Sequence, residues 1–547
     1  MLQAASGGAN RHHPASPMSS MPTTPRHAPP ARPRPGARAR FRAWGAWGAL
    51  VAGCATLSGC ASKPEVPPSP PEPPSAAASS GERGASPIVT DVSYVANLFH
   101  WVDSLAETSN GLTQPAYYRA WFGRFGPLDA QDREWLAAFR KVRLREFRPR
   151  SATADTAGSG CLPSEPDTPS RRQMLNAAAM QATSLPDLEQ RARAFLLPEE
   201  ADAIGAALVH FSERFDFLWA EFDWLVAFRA EFDAFLAEPV TRQWIAAMAR
   251  FTGAGEYSTA PTLFSFVAVP SQEYGTHAEA SERALLLEVR PDDSIAEQVP
   301  VIFHELVHDF QRRVPPVERA DLAGRYVREG YRGAMANGLL REALPTALGQ
   351  GLAQLRLAPD SYRPELPWYH LESIDRYAHA ILPLVSRAFD SGQRFSEIPA
   401  PQVVGALDDA TLSEAPALLF LSEAAFTATE EKLPLLDPLL AAVGGRRQWR
   451  VAADTAEGRD FLVKYDCLPL AILSIASEPP LPGLEAATAT PPPLTTGAIG
   501  ALVPLQRGSG APVLWLYART RNDAPRVIQA ARDLGRWPER LVLVRPE

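Results

Sequence analysis

Apolar residues recur at helical spacing through most of residues 88–253, with a loop rich in Gly, Ser and Pro interrupting them near residues 158–169. In the clearest helical stretch, 201–237, Phe211 and Phe215 lie on one face with further aromatic residues beside them. A stripe of this kind predicts helices that bury it against a core. For these rings we favour core packing over a groove for an aromatic ligand.

Beyond residue 253 the hydrophobic pattern changes to that of strands. The runs 262–269 and 284–289 each predict a strand. A helix follows, and the residues offer two starting points for it. Either Ser294 begins it through a capping box with Glu297, or Pro300 occupies its first position.

From about residue 402 the chain alternates between strand and helix patterns. Strand-like runs cover 417–421, 470–475, 513–517 and 541–544, and a helical run covers 524–534. A strand, a helix and a second strand in this order predict a crossover between parallel strands. We therefore expect an α+β protein made of a mostly helical region (88–253), a small sheet with a motif-bearing helix (254–401) and a small α/β domain (402–547).

The first 87 residues have a different character. Residues 1–59 contain seven Arg, no acidic residue and a closing apolar run, which is the order of a secretory signal. The run is shorter than the roughly 20 residues that a membrane span requires. It ends at Leu-Ser-Gly-Cys60, which resembles the lipobox of bacterial lipoproteins. That resemblance implies cleavage before Cys60 and lipid (palmitate) attachment to it. Residues 60–87, rich in Pro, Ser and Ala, predict a disordered tether.

Removal of the signal makes the charge of the chain more acidic. The formal charge is −8 for the whole chain, and loss of the seven arginines of residues 1–59 brings it to −15. Such a surface argues against nucleic acid or anionic lipid as a partner held by charge. Two cysteines follow Cys60 in the sequence, Cys161 and Cys467. They could form a disulfide in an oxidising compartment.

The sequence contains one motif typical of a catalytic metal site, His-Glu-Leu-Val-His at residues 304–308. On a helix, His304 and His308 project from one face, so both imidazoles can bind one zinc ion. Glu305 lies beside His304, where it can take a proton from a water molecule that attacks a carbonyl. The alternative, two surface histidines with a solvated glutamate, fits poorly within an apolar helix.

This segment resembles the zincin metallopeptidases, which place such a helix below the edge strand of a small sheet. A catalytic zinc site has three protein ligands and one open position. The residues after His308 lack the glycine turn and third histidine of the metzincin branch. The resemblance is therefore to the gluzincin branch, whose third ligand is a glutamate on a later helix.

Two glutamates compete for the role of third ligand. Glu342 follows His308 after 33 intervening residues and lies in an apolar, helix-prone segment, with Thr346 one turn on to hydrogen-bond a ligand. Glu329 follows after 20 intervening residues and has an arginine on either side. We favour Glu342 and keep Glu329 as the alternative.

The resemblance implies a zinc-dependent hydrolase of peptide bonds, with one Zn²⁺ per chain and Glu305 as general base. Related peptidases often use a downstream Tyr or His to stabilise the oxyanion, and Tyr369 and His370 are nominated here. The substrate is expected to be a peptide or protein, while its identity and the oligomeric state stay open.

The expected location is the bacterial cell envelope. The lipid on Cys60 would be the only contact with the membrane, and the folded part would face the periplasm or the outside. Because Ala61 follows Cys60, the outer membrane is favoured. A hypothesis of another class is a binding or scaffold lipoprotein whose metal site is structural or vestigial.

Overall fold

Two mixed β-sheets surrounded by helices make up the computed structural model of the protein, which is an α+β structure. It describes residues 88–108, 113–144, 150–151, 162, 169–255, 261–270, 277–410, 420–421, 423–443, 447–476, 478–482, 484, 490, 492–535, 537–538 and 540–546. These residues belong to one unit, Glu82–Glu547. The predicted signal, lipidation residue Cys60, tether and Cys161 lie outside the described residues.

The helices that bear on the description below are numbered in chain order. They are α1 (Tyr94–Leu105), α2 (Gln114–Phe125), α3 (Ala130–Arg143), α4 (Arg171–Gln181), α5 (Leu185–Ala192), α6 (Pro198–Trp219), α7 (Trp224–Ala237), α8 (Pro239–Thr252), α9 (Ile295–Arg313), α10 (Pro316–Val327), α11 (Gly330–Thr346), α12 (Gln354–Leu357), α13 (Glu372–Asp390), α14 (Ala400–Asp409), α15 (Asp437–Val443), α16 (Ala456–Lys464) and α17 (Ala524–Arg532). A π-helical segment, Ala347–Ala353, joins α11 to α12. Among the described residues, no helix is both long enough and apolar enough to cross a membrane.

The strands form two sheets. They are β1 (Ile88–Asp91), β2 (Arg150–Ser151), β3 (Thr262–Ala268), β4 (Ala278–Ser281), β5 (Ala284–Val289), β6 (Glu423–Ala428), β7 (Arg447–Ala452), β8 (Leu470–Ile475), β9 (Gly500–Gln506), β10 (Pro512–Ala518) and β11 (Val542–Val544). The first sheet has the order β1-β3-β5-β4, and the second has the order β11-β9-β10-β8-β6-β7-β2.

In the first sheet, β1, β3 and β5 run parallel, and β4 pairs antiparallel with β5 at the edge. The predicted strands 262–269 and 284–289 are β3 and β5. Strand β1 comes from the predicted helical region 88–253, yet its Ile88 pairs with Thr262 of β3. The regions predicted as 88–253 and 254–401 therefore share one sheet.

Both faces of this sheet are covered by helices. On one face, Phe264 and Phe266 of β3 contact Phe232 of α7, with ring centroids 5.3 and 5.0 Å apart. On the other face, Leu286 of β5 packs with Met180 of α4. A parallel strand covered on both faces is a nearly continuous apolar run, interrupted here by Ser265 and Glu288, which is why β3 and β5 were visible in the sequence.

The aromatic stretch 201–237 forms two helices, α6 and α7, instead of one. Phe211 and Phe215 of α6 are fully buried. Their rings contact Trp121 and Trp101 of the preceding helices at 5.4 and 6.0 Å. The prediction that these rings pack in the core is confirmed.

Helix α9 begins at the first of its two predicted starts. The Ser294 side chain accepts from the backbone of Glu297, and the Glu297 carboxylate accepts from the Ser294 backbone at 3.0 Å, which is a capping box. Pro300 lies inside the helix and cannot donate to the carbonyl of Ala296. The hydroxyl of Ser361 donates to that carbonyl at 3.3 Å, so the freed acceptor is satisfied from outside the helix.

In the second sheet, β8 pairs parallel with both β10 and β6. The predicted crossover from β10 to β11 joins strands of the same direction, but they are not neighbours, because β9 lies between them and pairs antiparallel with both. Of the strand predicted at 417–421, the structure describes Phe420 and Leu421, and there the prediction is wrong: both form part of a helical turn, and β6 begins at Glu423. Strand β6 is built largely of small residues, including the fully buried Ala424, Ala425 and Ala428. Alanine has little strand preference, so the more apolar run before it gave the stronger signal.

A buried carboxylate fastens α9 to the first sheet. Asp309, which is 1% exposed, accepts from the Thr262 hydroxyl of β3 at 2.7 Å and from Arg313 one turn on at 2.7 Å. Removing it breaks a buried ion pair and leaves the Arg313 guanidinium without this carboxylate.

We expect Asp309→Ala to lower the free energy of unfolding by about 3–5 kcal/mol, measured by urea denaturation. The matched control is Asp408→Ala, which removes an exposed pair with Arg332 and should cost less than about 1 kcal/mol. Equal effects for the two variants would contradict a structural role for Asp309.

Candidate metal centre

Three predicted ligand side chains converge between α9 and α11. The Nε2 atoms of His304 and His308 lie 3.1 Å apart. The Oε2 atom of Glu342 lies 3.4 Å from Nε2 of His304 and 3.2 Å from Nε2 of His308. The two histidines are one turn apart on α9 and Glu342 faces them from α11, so the three atoms surround a common point.

Glu329 is not part of this group. It is an exposed residue that precedes the first residue of α11. Glu342 lies 13 positions later on the same helix, a distance of roughly 20 Å along the axis. Of the two glutamates that the sequence left in competition, the structure brings Glu342 to the histidines.

Glu305 lies beside the group and is only 8% exposed. Its carboxylate makes no hydrogen bond or ion pair with any described residue. Ligand atoms of His304, Glu305 and His308 all lie within 4.8 Å of one another, so this group could hold a metal ion. A buried carboxylate with no hydrogen-bond or ion-pair partner among the described residues is available to a water molecule at the same point.

The charges of the site support one another. Burial alone raises the pKa of the Glu342 carboxyl, but the charges and hydrogen bonds of His308 and His304 outweigh burial and hold that pKa well below its usual value. Burial likewise disfavours the charged form of His304, but the hydrogen bond that its ring donates to Glu342, together with the charges of Glu305 and Glu342, raises its pKa above the usual value. An ionised carboxylate is the form that binds a cation.

Tyr369 contacts the ligand group directly, whereas His370 contacts Tyr369. The Tyr369 hydroxyl donates to Oε2 of Glu342 at 3.3 Å, and its ring lies nearly parallel to the ring of His304, with centroids 6.0 Å apart. Burial, and then the charge of Glu342 and the hydrogen bond to it, raise the pKa of Tyr369, so the hydroxyl stays a donor. His370 is exposed and stacks on Tyr369 at 4.6 Å.

Gln350, which the sequence did not single out, contacts the predicted ligand His304 at the ring nitrogen that faces away from the ligand group. Oε1 of Gln350 lies 3.4 Å from Nδ1 of His304. When this oxygen accepts from Nδ1, a neutral His304 ring carries its lone pair on Nε2, the atom that faces Glu342 and His308 and that would bind a metal ion. Gln350 belongs to the π-helical segment, and such segments are frequent at functional sites. The visible signal was the pair of glycines, 349 and 351, inside a helical pattern.

Gly349 explains how the π-helical segment comes so close to α9. A Cβ at this position would lie 2.5 Å from the carbonyl oxygen of Pro300 and 2.7 Å from the backbone nitrogen of His304. Real Cβ atoms do not approach backbone so closely. Only glycine permits this contact, and the contact fixes the distance between His304 and Gln350.

Two further predictions concern residues outside the ligand group. The expected hydrogen bond from Thr346 to a ligand is absent: its hydroxyl is buried without a partner among the described residues. Cys467 is buried and disulfide-bonded. Its predicted partner Cys161 lies outside the described residues, although the neighbouring Leu162 packs in the same cluster as Cys467.

No protein-family model matches the chain, and comparison with curated proteins and with solved structures finds no significant match either. The indications of function lie in the side chains of the site themselves. Two imidazole nitrogens and a carboxylate oxygen are a ligand set that zinc prefers.

We expect Gly349→Ala to lower the free energy of unfolding by about 1–3 kcal/mol or more, because the new methyl group meets backbone that cannot move aside. Gly405→Ala in α14 is the control, since a Cβ there meets nothing within 4 Å. That variant should be neutral or more stable by up to about 1 kcal/mol. Urea denaturation measures both, and a harmless Gly349→Ala would contradict the close contact.

The choice of third ligand is tested by zinc titration against a competing chelator. Glu342→Ala should lose more than about 100-fold in zinc affinity, which exceeds the effect typical of residues that only support a ligand. Glu329→Ala should stay within about threefold of the unchanged protein, because its side chain is exposed and distant. The reverse order would assign the metal to Glu329.

Proposed function

We propose that the protein is a zinc-dependent hydrolase of peptide bonds. The observation that supports it is the convergence of His304, His308 and Glu342 within 3.1–3.4 Å of one another, beside a Glu305 carboxylate with no partner among the described residues. Three ligands of this kind would hold one Zn²⁺ per chain and leave a position open. A closed structural site would have no use for Glu305 in this place.

The residues present fit the metal. The charges and hydrogen bonds of His308 and His304 lower the pKa of the Glu342 carboxyl, and Gln350 is placed to accept from Nδ1 of His304 and so orient its ring. When bound, zinc supplies a Lewis acid that polarises a carbonyl group and lowers the pKa of water.

Each remaining step of the hydrolysis falls to a residue of the chain. Glu305 accepts a proton from the attacking water and passes it to the leaving amine. Tyr369, held protonated by its surroundings, turns its hydroxyl to the oxyanion that develops on the scissile carbonyl. His370 is the other proposed donor, and its exposed position beside Tyr369 requires it to turn inward when substrate binds.

The proposed setting is the cell envelope of a bacterium. The lipobox-like sequence ending at Cys60 supports attachment of a lipid, and residues 60–87 would place the enzyme away from the membrane, with the outer membrane favoured. The acidic charge behind Cys60 supports a peptide or protein substrate over nucleic acid.

The mechanism is tested by Glu305→Gln, which keeps the shape of the side chain and removes the base. We expect zinc content to stay at one per chain, while hydrolysis of denatured casein falls by about 10²–10⁴-fold. Glu318→Gln, at an exposed position of α10, is the control and should keep full activity.

Two results would contradict the proposal. Full activity of Glu305→Gln would remove this residue as the general base. A wild-type protein that holds no zinc at stoichiometric level would remove the zinc enzyme as a whole and favour a binding or scaffold role.

A further inference from the structure

The segment that carries Tyr369 is fastened by a carboxylate outside the ligand group. Asp375 lies in the first turn of α13, and its side chain is 15% exposed. Its Oδ1 atom accepts from the backbone nitrogen of Trp368 at 2.6 Å and from that of Tyr369 at 3.1 Å. One oxygen therefore holds two successive peptide groups.

The neighbouring Trp368 is held on two further sides. Its indole ring stacks on the imidazole of His379 from α13, with centroids 3.6 Å apart and an angle of 23° between the rings. On another side lies Gly351 of the π-helical segment, where an added Cβ would come within 3.1 Å of the indole ring. His379 also approaches Oδ1 of Asp375 at 3.8 Å. Trp368 thus packs between α13 and the π-helical segment that carries Gly351 and Gln350.

Fixing this backbone also fixes the Tyr369 side chain. A tyrosine has only two side-chain torsions, so its hydroxyl position follows closely from its backbone position. Here the hydroxyl reaches Glu342 at 3.3 Å while the ring lies parallel to His304. A shift of the backbone by about 1 Å would remove the hydroxyl from hydrogen-bond distance.

We propose that Asp375 is a positioning residue of the catalytic site, which holds the Trp368–Tyr369 backbone so that the Tyr369 hydroxyl stands ready at the ligand group. The catalytic part of this inference rests on the proposed function, whereas the contact itself does not. Asp375 touches neither the ligands nor the point that they surround, and it acts only through the segment.

Hydrogen–deuterium exchange on the full chain tests the contact without any need for activity. In Asp375→Ala, the amides of residues 368 and 369 should exchange at least about tenfold faster than in the unchanged protein. Asp375→Asn keeps an acceptor oxygen at the same place and should stay near the unchanged rate. Glu365→Ala removes an exposed carboxylate from the same connection and serves as the control.

Kinetics on the zinc-loaded protein tests the role. Asp375→Ala should lower kcat by about 10–100-fold with little change in KM, since the group it displaces acts in the transition state. Zinc affinity should stay within about threefold, because His304, His308 and Glu342 lie on other elements. Asp375→Asn should restore most of kcat. Adding Tyr369→Phe to Asp375→Ala should lower kcat little further, since the two residues act as one unit.

The outcomes separate the two proposals. Unchanged exchange and unchanged kcat in Asp375→Ala would overturn the positioning role. Fast exchange with an unchanged kcat would show a structural contact only and overturn it as well. If the unchanged protein binds zinc but cleaves no peptide, the proposed function fails, and the positioning role of Asp375 in catalysis fails with it, while the exchange result still decides the contact.

Discussion

The site depends on how closely two helices approach each other. His304 and His308 lie on α9, Glu342 lies on α11, and Gln350 lies on the π-helical segment that continues α11. The π-helical segment brings its Gly349 against the backbone of Pro300 and His304, at distances that exclude any side chain. Because interiors are packed to high density, this contact sets the separation of the facing side chains. The ligand atoms lie 3.1–3.4 Å apart as a consequence.

Two carboxylates outside the ligand group connect the elements of the site to the rest of the fold. Asp309 ties α9 to β3 through Thr262, and Asp375 ties the Tyr369 segment to α13. Asp309 is fully buried and Asp375 is largely buried, and each accepts two hydrogen bonds. A buried carboxylate stabilises a structure only when its oxygens have such partners. Glu342 has two imidazoles for the same purpose, whereas Glu305 has no partner among the described residues. That contrast separates residues that hold the site from the residue proposed to react.

Much of the site was predictable from the sequence because its signals are local. The spacing of His304 and His308, the capping box at Ser294 and the apolar runs of β3 and β5 each follow from a short-range rule. Glu342 could be favoured over Glu329 only by the resemblance and the character of its surroundings. Gln350 was missed because its partner His304 lies 46 residues away and the contact depends on a π-helical segment. Asp375 was missed because its contacts with residues 6 and 7 positions earlier depend on the conformation of a loop. The Ala-rich strand β6 was misplaced because tertiary burial overrides its weak intrinsic preference.

The central claim is that two imidazoles and one carboxylate hold a zinc ion with a position left open, and X-ray absorption at the zinc edge measures this most directly. For the protein loaded with one zinc per chain, we expect two imidazole nitrogens and a total of four light-atom neighbours at about 2.0–2.2 Å, with one neighbour replaced when a small anion is added. A spectrum with a single imidazole, or with four neighbours that no added anion displaces, would contradict it.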